Sequence, residues 1–442
     1  MYPNLYYAIN DWFGWKINAL KVFYSFGIFV ALAFIAAAYV LTLELKRKEK
    51  KGLLQPREET IVAGKTATPL EFFINGIAGF IFGYKLIGVV VASRSENIDI
   101  QDYLFSSSGS WLGGLLVAAL LVYLKFREKN KHKLAKPEQR TIRVWPHDRV
   151  GDLVIYALIF GILGAKLFDN FENWDRFIKN PVANLLSPSG LTFYGGLICA
   201  AIAILIFAKR KSINLLHLID SAAPALMIAY AIGRIGCQVA GDGDWGVFNS
   251  AYISDHPGHV IAASPDQFDE QLRKYSGYFL SGTVRDSSGE TINVTDRHAS
   301  SFADIPHKSF KGPDFLPTWI FAYTYPHNVN EDGILLDNCE GKYCRALPQP
   351  VFPTPFYETV ACTILFLVLW ALRKRITTPG VIFSIYLILN GMERFLIEKI
   401  RVNNTYTVFG IHPTQAEIIS LLLVIAGAIG IIYFKRKPTP TV

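Results

Sequence analysis

Residues 233–246 read Gly-Arg-Ile-Gly-Cys-Gln-Val-Ala-Gly-Asp-Gly-Asp-Trp-Gly. The run combines one fixed cation, Arg234, with a thiol at Cys237, the carboxylates of Asp242 and Asp244, and glycines as far as Gly246 that let backbone approach a ligand closely. Arg234 falls where an apolar helix leaves the bilayer. A guanidinium forks onto phosphate through several donors, which suits an anionic headgroup. A lone terminal arginine also serves as a snorkelling interface anchor. A second arginine shifts that balance. In Asn-Gly-Met-Glu-Arg-Phe-Leu-Ile-Glu-Lys-Ile-Arg (390–401), Arg394 and Glu398 stand one helical turn apart and can pair. An ionisable residue at membrane depth costs about 2.5 to 3.5 kcal/mol on insertion scales, so this pair marks a functional site. Two arginines at the same membrane face can meet one phosphate.

Two further stretches join them. In Leu191-Thr192-Phe193-Tyr194-Gly195-Gly196, the glycines admit a neighbouring helix or an acyl chain and Tyr194 offers a hydrogen-bond donor, although tyrosine is also the commonest interface-belt residue. Pro353-Thr354-Pro355-Phe356-Tyr357-Glu358 opens a helix, with Glu358 early enough for the helix dipole to favour it. The nine histidines form no His-x-x-x-His pair, and no Walker-type or Gly-x-Ser-x-Gly motif occurs, so no metal and no cofactor is predicted.

These residues must be positioned by membrane helices. The chain has 442 residues, 51% hydrophobic and 18% charged, which is more apolar than soluble domains. Its net charge of +8 does not point to nucleic acid. The basic residues sit in short clusters (45–51, 125–133, 209–211, 373–375 and 435–437), each just after an apolar segment, as the positive-inside rule requires. Nine apolar segments are long enough, or nearly so, to span: 22–43, 70–92, 110–125, 150–168, 191–208, 214–233, 356–372, 380–397 and 414–434. The expected fold is an all-α polytopic membrane protein of about nine transmembrane helices, N-terminus (1–21) outside and C-terminus cytoplasmic. No removable signal peptide is predicted.

The stretches 82–114 and 163–196 share a Gly-x-Lys-Leu, an acidic aromatic loop, a Ser-Gly and a Gly-Gly, offset by 81 residues at Lys85 and Lys166 and by 82 at Gly113 and Gly195. This predicts that the hairpin at 70–125 duplicates the next one; glycines placed for close helix packing are the plainer alternative. Residues 247–351 are polar and external by topology, and their aromatics (Tyr275, Tyr278, Trp319, Tyr323, Tyr325, Tyr343) argue for at least partial order. Cys339 and Cys344 lie here, either disulfide-bonded or as free thiols.

Taken in order, these elements resemble the bacterial prolipoprotein diacylglyceryl transferase family. The resemblance covers Tyr24 and most of 149–246 and 352–437. It runs through Arg234, Gly236, Gly241, Trp245 and Gly246, through Arg394 followed by Glu398, through Pro353, Thr354, Tyr357 and Glu358, and through Asp220, Ala223 and Pro224. It implies an enzyme of the bacterial cytoplasmic (inner) membrane that moves the diacylglyceryl group of phosphatidylglycerol onto a prolipoprotein lipobox cysteine. Tyr24, Lys166, Gly195, Gly196, Arg234, Cys237, Gly246 and Glu398 are then substrate-binding candidates, and Tyr194, Asp242, Asp244 and Arg394 catalytic ones. Where the family has Phe-His-Gly-Gly this chain has Phe193-Tyr194-Gly195-Gly196, and where the family has Asn-Phe-Ile-Asn-Gly-Glu it has Cys237-Gln238-Val239-Ala240-Gly241-Asp242. A phenol holds its proton roughly 3.5 pH units more tightly than an imidazolium, about 5 kcal/mol or a rate factor on the order of a thousand. Tyr194 is therefore expected to hydrogen-bond phosphate while Asp242, Asp244 or Glu393 takes the thiol proton, or the arginines acidify the thiol. The alternative is a non-catalytic paralogue that binds phospholipid or lipoprotein. A transporter would need charges along a midplane path, for which only Lys85 and Lys166 qualify.

Overall fold

The computed structural model describes all residues except 93–102, 104–105, 132, 135, 188–189, 191, 257, 286–289, 340, 404–405, 407–411 and 437–442. The acidic loop of the first repeat, Ser189 and Leu191 of the second, and Lys437 of the last basic cluster lie outside the described residues.

The helices are α1 (Leu5–Phe13), α2 (Ser25–Lys50), α3 (Pro69–Ala92), α4 (Trp111–Lys131), α5 (Val150–Glu172), α6 (Trp174–Lys179), α7 (Pro181–Leu186), α8 (Phe193–Arg210), α9 (Leu215–Ala240), α10 (Pro265–Lys274), α11 (Ser276–Ser281), α12 (Thr354–Leu372), α13 (Val381–Glu398) and α14 (Gln415–Arg436). A helix forms at each of the nine expected spans. Among the described residues seven are long and apolar enough to cross a membrane: α2, α3, α5 with the turn before it, α8, α9, α12 and α14. The other two fall short because of charge. Any 18-residue window of α4 takes in Lys125, Arg127 and Glu128, and the 18 residues of α13 contain Glu393, Arg394 and Glu398. The chain is a multi-pass helical membrane protein, and it forms two units.

One unit holds residues 9–22 and 38–218. Two helical hairpins, α3–α4 and α5–α8, have matching glycine crossings. A Cβ on Gly83 would meet the Gly113 carbonyl at 2.4 Å, and one on Gly164 the Gly195 carbonyl at 2.5 Å. A Cβ on Gly114 would meet the Phe80 carbonyl at 3.1 Å, and one on Gly196 the Gly161 carbonyl at 2.9 Å. The Ser110 amide donates to Tyr84 at 2.9 Å, and the Thr192 amide to Ala165 at 3.1 Å. Every one of these pairs obeys the 81- or 82-residue offset. At the basic helix ends, Leu45, Leu54, Val150, Leu153, Phe207, Ala208, Ile213 and Leu218 form one apolar core. It lies beside an antiparallel pair, β1 (Arg57–Ala63) and β2 (Glu138–Val144). The positive ends of α2 and α8 thus share one side within this unit.

The other unit holds residues 1–8, 23–37 and 219–442. Ala223, Met227, Ala231, Cys362, Leu369 and Ile382 join α9, α12 and α13 in its membrane core. Asp220 accepts from the amides of Gly380 (2.8 Å) and Phe383 (2.9 Å), so it caps α13 where the first-turn amides need a partner. The described residues of 247–351 form an ordered layer of two-stranded sheets and short helices around Trp245, Phe268, Leu272, Tyr278, Phe279, Ile305, Tyr325, Leu347 and Val351. Cys339 and Cys344 are disulfide-bonded. Of the six aromatics singled out in the sequence, Tyr278, Tyr325 and Tyr343 are buried, Tyr275 and Tyr323 partly so, and Trp319 stays 42% exposed.

Candidate functional site

Glu358 is the hub. Its carboxylate, fully buried in the first turns of α12, pairs with the Arg234 Nε and accepts from the Tyr230 hydroxyl at 2.5 Å. It also accepts from Arg401 Nη1 at 3.1 Å and stands 4.0 Å from Arg394 Nη1. Three arginines from two helices and a loop therefore converge on one carboxylate. Tyr230 sits one turn before Arg234 on α9, with its ring 5.2 Å from the guanidinium.

The loop after α9 closes the cluster. Asp244 pairs with Arg234 and accepts from Arg401 Nη2 at 2.7 Å. The Asp244 main-chain carbonyl accepts from the Thr354 hydroxyl at 2.7 Å. Gly246 is required by packing: a Cβ there would lie 2.5 Å from the Ile400 carbonyl and 2.9 Å from Thr354. Its close approach brings the loop to the end of α13, where it bridges to Arg401. Gly241 and Gly243 adopt the left-handed conformation, at φ 66° and 91°, that the tight exit from the helix demands. The Glu398 carboxylate is divided between Arg394 (2.8 Å) and the Asn403 amide (2.6 Å).

Charge counting shows what is left over. Arg234, Arg394 and Arg401 face Glu358, Asp244 and Glu398, three against three. Glu393 is a fourth carboxylate, 8% exposed, and among the described residues neither of its oxygens has a hydrogen-bond partner. Arg394 Nη1 and Arg401 Nε are buried donors that also lack one among the described residues. Buried polar groups are rarely left so, and a cluster of them calls for an incoming ligand.

The two loop aspartates differ in character. Burial alone would lift Asp244, but the guanidiniums of Arg234 and Arg401 outweigh it and hold the carboxyl down to about 2. An ionised, doubly paired carboxylate is a poor proton acceptor, so Asp244 belongs to the ion network and leaves the proton-transfer role expected for it. Asp242 is raised by burial, against the hydrogen bond it shares with Cys237. Cys237 is buried, 3.6 Å from Arg234 Nη1. Cys237, Asp242 and Asp244 bring their ligand atoms within 4.8 Å of one another. Two guanidiniums already on Asp244 would repel a further cation, so the set does not favour a metal.

Tyr194, Gly195, Gly196 and Lys166 are in the hairpin unit. Gly195 and Gly196 make the close helix crossing, and the buried Lys166 lies 3.4 Å from the Gly190 carbonyl. Tyr194 is half-buried, its ring 5.8 Å from Phe193. Tyr24 bridges through its backbone to Asn4 and shares a hydrogen bond with Tyr343.

Sequence reasoning missed Arg401 and undervalued Glu358. Arg394, Glu398 and Arg401 recur at i, i+4 and i+7, the spacing of one helical face, which was the available signal for the first. Glu358 and Arg234 are too far apart in sequence for any local pattern to link them.

A model of the family described as prolipoprotein diacylglyceryl transferase matches residues 130–433, which leaves out Tyr24. A phosphatidylglycerol–prolipoprotein diacylglyceryl transferase of Shouchella clausii (strain KSM-K16) is 25% identical over 348 residues, covering 77% of this chain and 92% of that protein. A protein of the same name from Enterococcus faecalis (strain ATCC 700802 / V583) is 26% identical over 340 residues, covering 76% and 90%. One from Leptospira interrogans (serogroup Icterohaemorrhagiae, serovar copenhageni) is 33% identical over 141 residues, covering 24% and 44%.

Proposed function

The chain belongs to the prolipoprotein diacylglyceryl transferase family, and on that premise we propose that it transfers the diacylglyceryl group of phosphatidylglycerol to a lipobox cysteine thiol, in a bacterial cytoplasmic membrane. The observation that carries the reading is the pair of buried guanidinium donors, Arg394 Nη1 and Arg401 Nε, that make no hydrogen bond among the described residues, beside the carboxylate hub. A phosphodiester supplies the acceptor oxygens they lack. It also strengthens as a partner when negative charge builds on the departing phosphate oxygen, which is where fixed cations accelerate a reaction.

In the proposed step the thiol sulfur attacks the glyceryl carbon that bears the phosphate ester. The S–C bond forms, the C–O bond breaks with its electron pair on oxygen, and glycerol phosphate leaves. Arg234, Arg394 and Arg401 hold the phosphate. Glu358 fixes the three guanidiniums against one another, and Glu398 and Asn403 orient Arg394. Asp242 or Glu393 takes the thiol proton, because Asp244 is committed to two arginines. The N-terminus and 247–351 are placed outside. Basic residues ending α2, α4, α8 and α14 support this, as does a disulfide in 247–351, a bond that persists in oxidising compartments.

The non-catalytic reading keeps one supporting observation, the tyrosine at 194. Complementation of a strain depleted of its own transferase tests the two. Rescue by the wild-type chain and not by Arg234→Ala is expected. Rescue by Tyr194→His alone would show an intact scaffold whose chemistry has been lost.

A further inference from the structure

The segment 310–321, Phe-Lys-Gly-Pro-Asp-Phe-Leu-Pro-Thr-Trp-Ile-Phe, presents its largest apolar side chains outward. Phe315 is 83% exposed, Phe310 51%, Trp319 42% and Leu316 38%. This is not a slack loop. The side-chain amide of the fully buried Asn249 donates to the carbonyls at both ends, Phe310 (2.8 Å) and Phe321 (3.1 Å), and its oxygen accepts from the Phe310 amide at 3.1 Å. The Phe310 and Phe321 rings meet 5.6 Å apart, and the Gly312 amide donates to the Tyr252 hydroxyl at 3.0 Å. Pro313 and Pro317 stiffen the tip.

The loop is fastened to the start of α12. The Tyr357 hydroxyl donates to the Ile320 carbonyl at 2.5 Å, and the Trp319 ring packs edge-on to Phe356 at 4.9 Å. Phe356 heads a stripe along α12 at helical spacing, followed by the exposed Val360, Ile364, Leu367 and Val368. On a membrane span such a stripe faces acyl chains. Trp319 carries the same apolar surface from the span onto the loop. Lys311 precedes the tip and Asp314 lies beside it, while Lys308 Nζ donates to the Lys399 carbonyl at 2.8 Å; Lys311 is the cation left to meet phospholipid phosphates.

We propose that the tip of this loop, Phe315, Leu316 and Trp319, inserts into the outer-leaflet interface of the bilayer as a fixed wedge, so that the external layer is held to the lipid surface beside α12. Aromatic side chains with one apolar and one wet end collect at that depth. The partner is the phospholipid surface itself; a peptide is the competing occupant.

The test is a nitroxide on Phe315→Cys, in full-length protein with Cys199→Ser, held in nanodiscs of phosphatidylglycerol and phosphatidylcholine. Cys237 and Cys362 are buried and need no replacement. Labels at Ile364→Cys on the stripe and at His259→Cys on the exposed part of the external layer bracket the outcome. We expect the Phe315 label to be relaxed severalfold more by molecular oxygen than by a water-soluble nickel chelate, as at Ile364. Relaxation by the chelate as strong as at His259 would overturn the proposal. So would a label that is water-exposed until a lipobox peptide is added, which would give the tip to peptide instead.

Discussion

The two units handle charge in opposite ways. In the hairpin unit the intramembrane lysines end on backbone: Lys85 Nζ donates to the Ser106 and Ser108 carbonyls, and Lys166 Nζ lies by the Gly190 carbonyl at the equivalent place in the repeat. Glycine crossings carry the rest of the architecture. In the other unit three arginines are set against three carboxylates around Glu358, with donors and one whole carboxylate, Glu393, left unmatched. A lysine amine beside the carbonyls of its own hairpin helps to hold that hairpin's turn. A charge network with members unmatched among the described residues has room for a further partner.

The largest effect should come from cutting the network. Arg234→Ala leaves the buried Glu358 short of its nearest cation, which costs about 3–5 kcal/mol, and transfer should drop at least about 100-fold with the loss of a preorganised donor. Thermal unfolding in detergent and product formation report the two, and a variant with normal melting and normal turnover would erase the contrast between the units. Gly195→Val should cost about 1–3 kcal/mol by overpacking, since its Cβ would lie 2.3 Å from that of Phe168. Gly113→Val, at the corresponding position, should behave alike, its Cβ lying 2.6 Å from that of Ile87, while Gly151→Val meets nothing within 4 Å and should melt as wild type. Unequal costs at 113 and 195 would break the equivalence of the hairpins.

A similar cost, about 2 kcal/mol from loop entropy, is expected for the double change Cys339→Ser and Cys344→Ser. It should show as a lowered melting temperature that a reducing agent reproduces in the wild type. The smallest effect is the pH response of Asp244. Its carboxyl is depressed from 3.8 to about 2, so its contribution is present above about pH 4 and is lost as pH falls through 2. The wild type should lose more stability than Asp244→Asn between pH 5 and pH 2; parallel loss would remove Asp244 from the network.

Much of this was legible in the sequence, for reasons the residues make plain. Arg234 and the Arg394–Glu398 pair stood out because charge is costly in an apolar span, and the pair forms as spaced. The repeated glycines gave the hairpin crossings because helices that approach so closely leave no room for a side chain. Arg401 was hidden by lying just past a helix end, where basic residues are ordinary. Glu358 looked like a helix start because its partners come from Arg234 and Arg401, distant in sequence. Asp244 looked like a base until its two guanidiniums were visible. The order of 247–351 was only hinted at by its aromatics; the buried amides of Asn249, Asn328 and Gln349 that tie it together have no sequence signature.

The most direct measurement is mass spectrometry of a lipobox peptide incubated with the purified protein in phosphatidylglycerol nanodiscs, between pH 6 and pH 10, with glycerol phosphate followed in parallel. The account predicts a thioether-linked diacylglyceryl peptide with equimolar glycerol phosphate from the wild type, and neither from Arg234→Ala. No product from the wild type at any pH, or wild-type yield from Arg234→Ala, would contradict it.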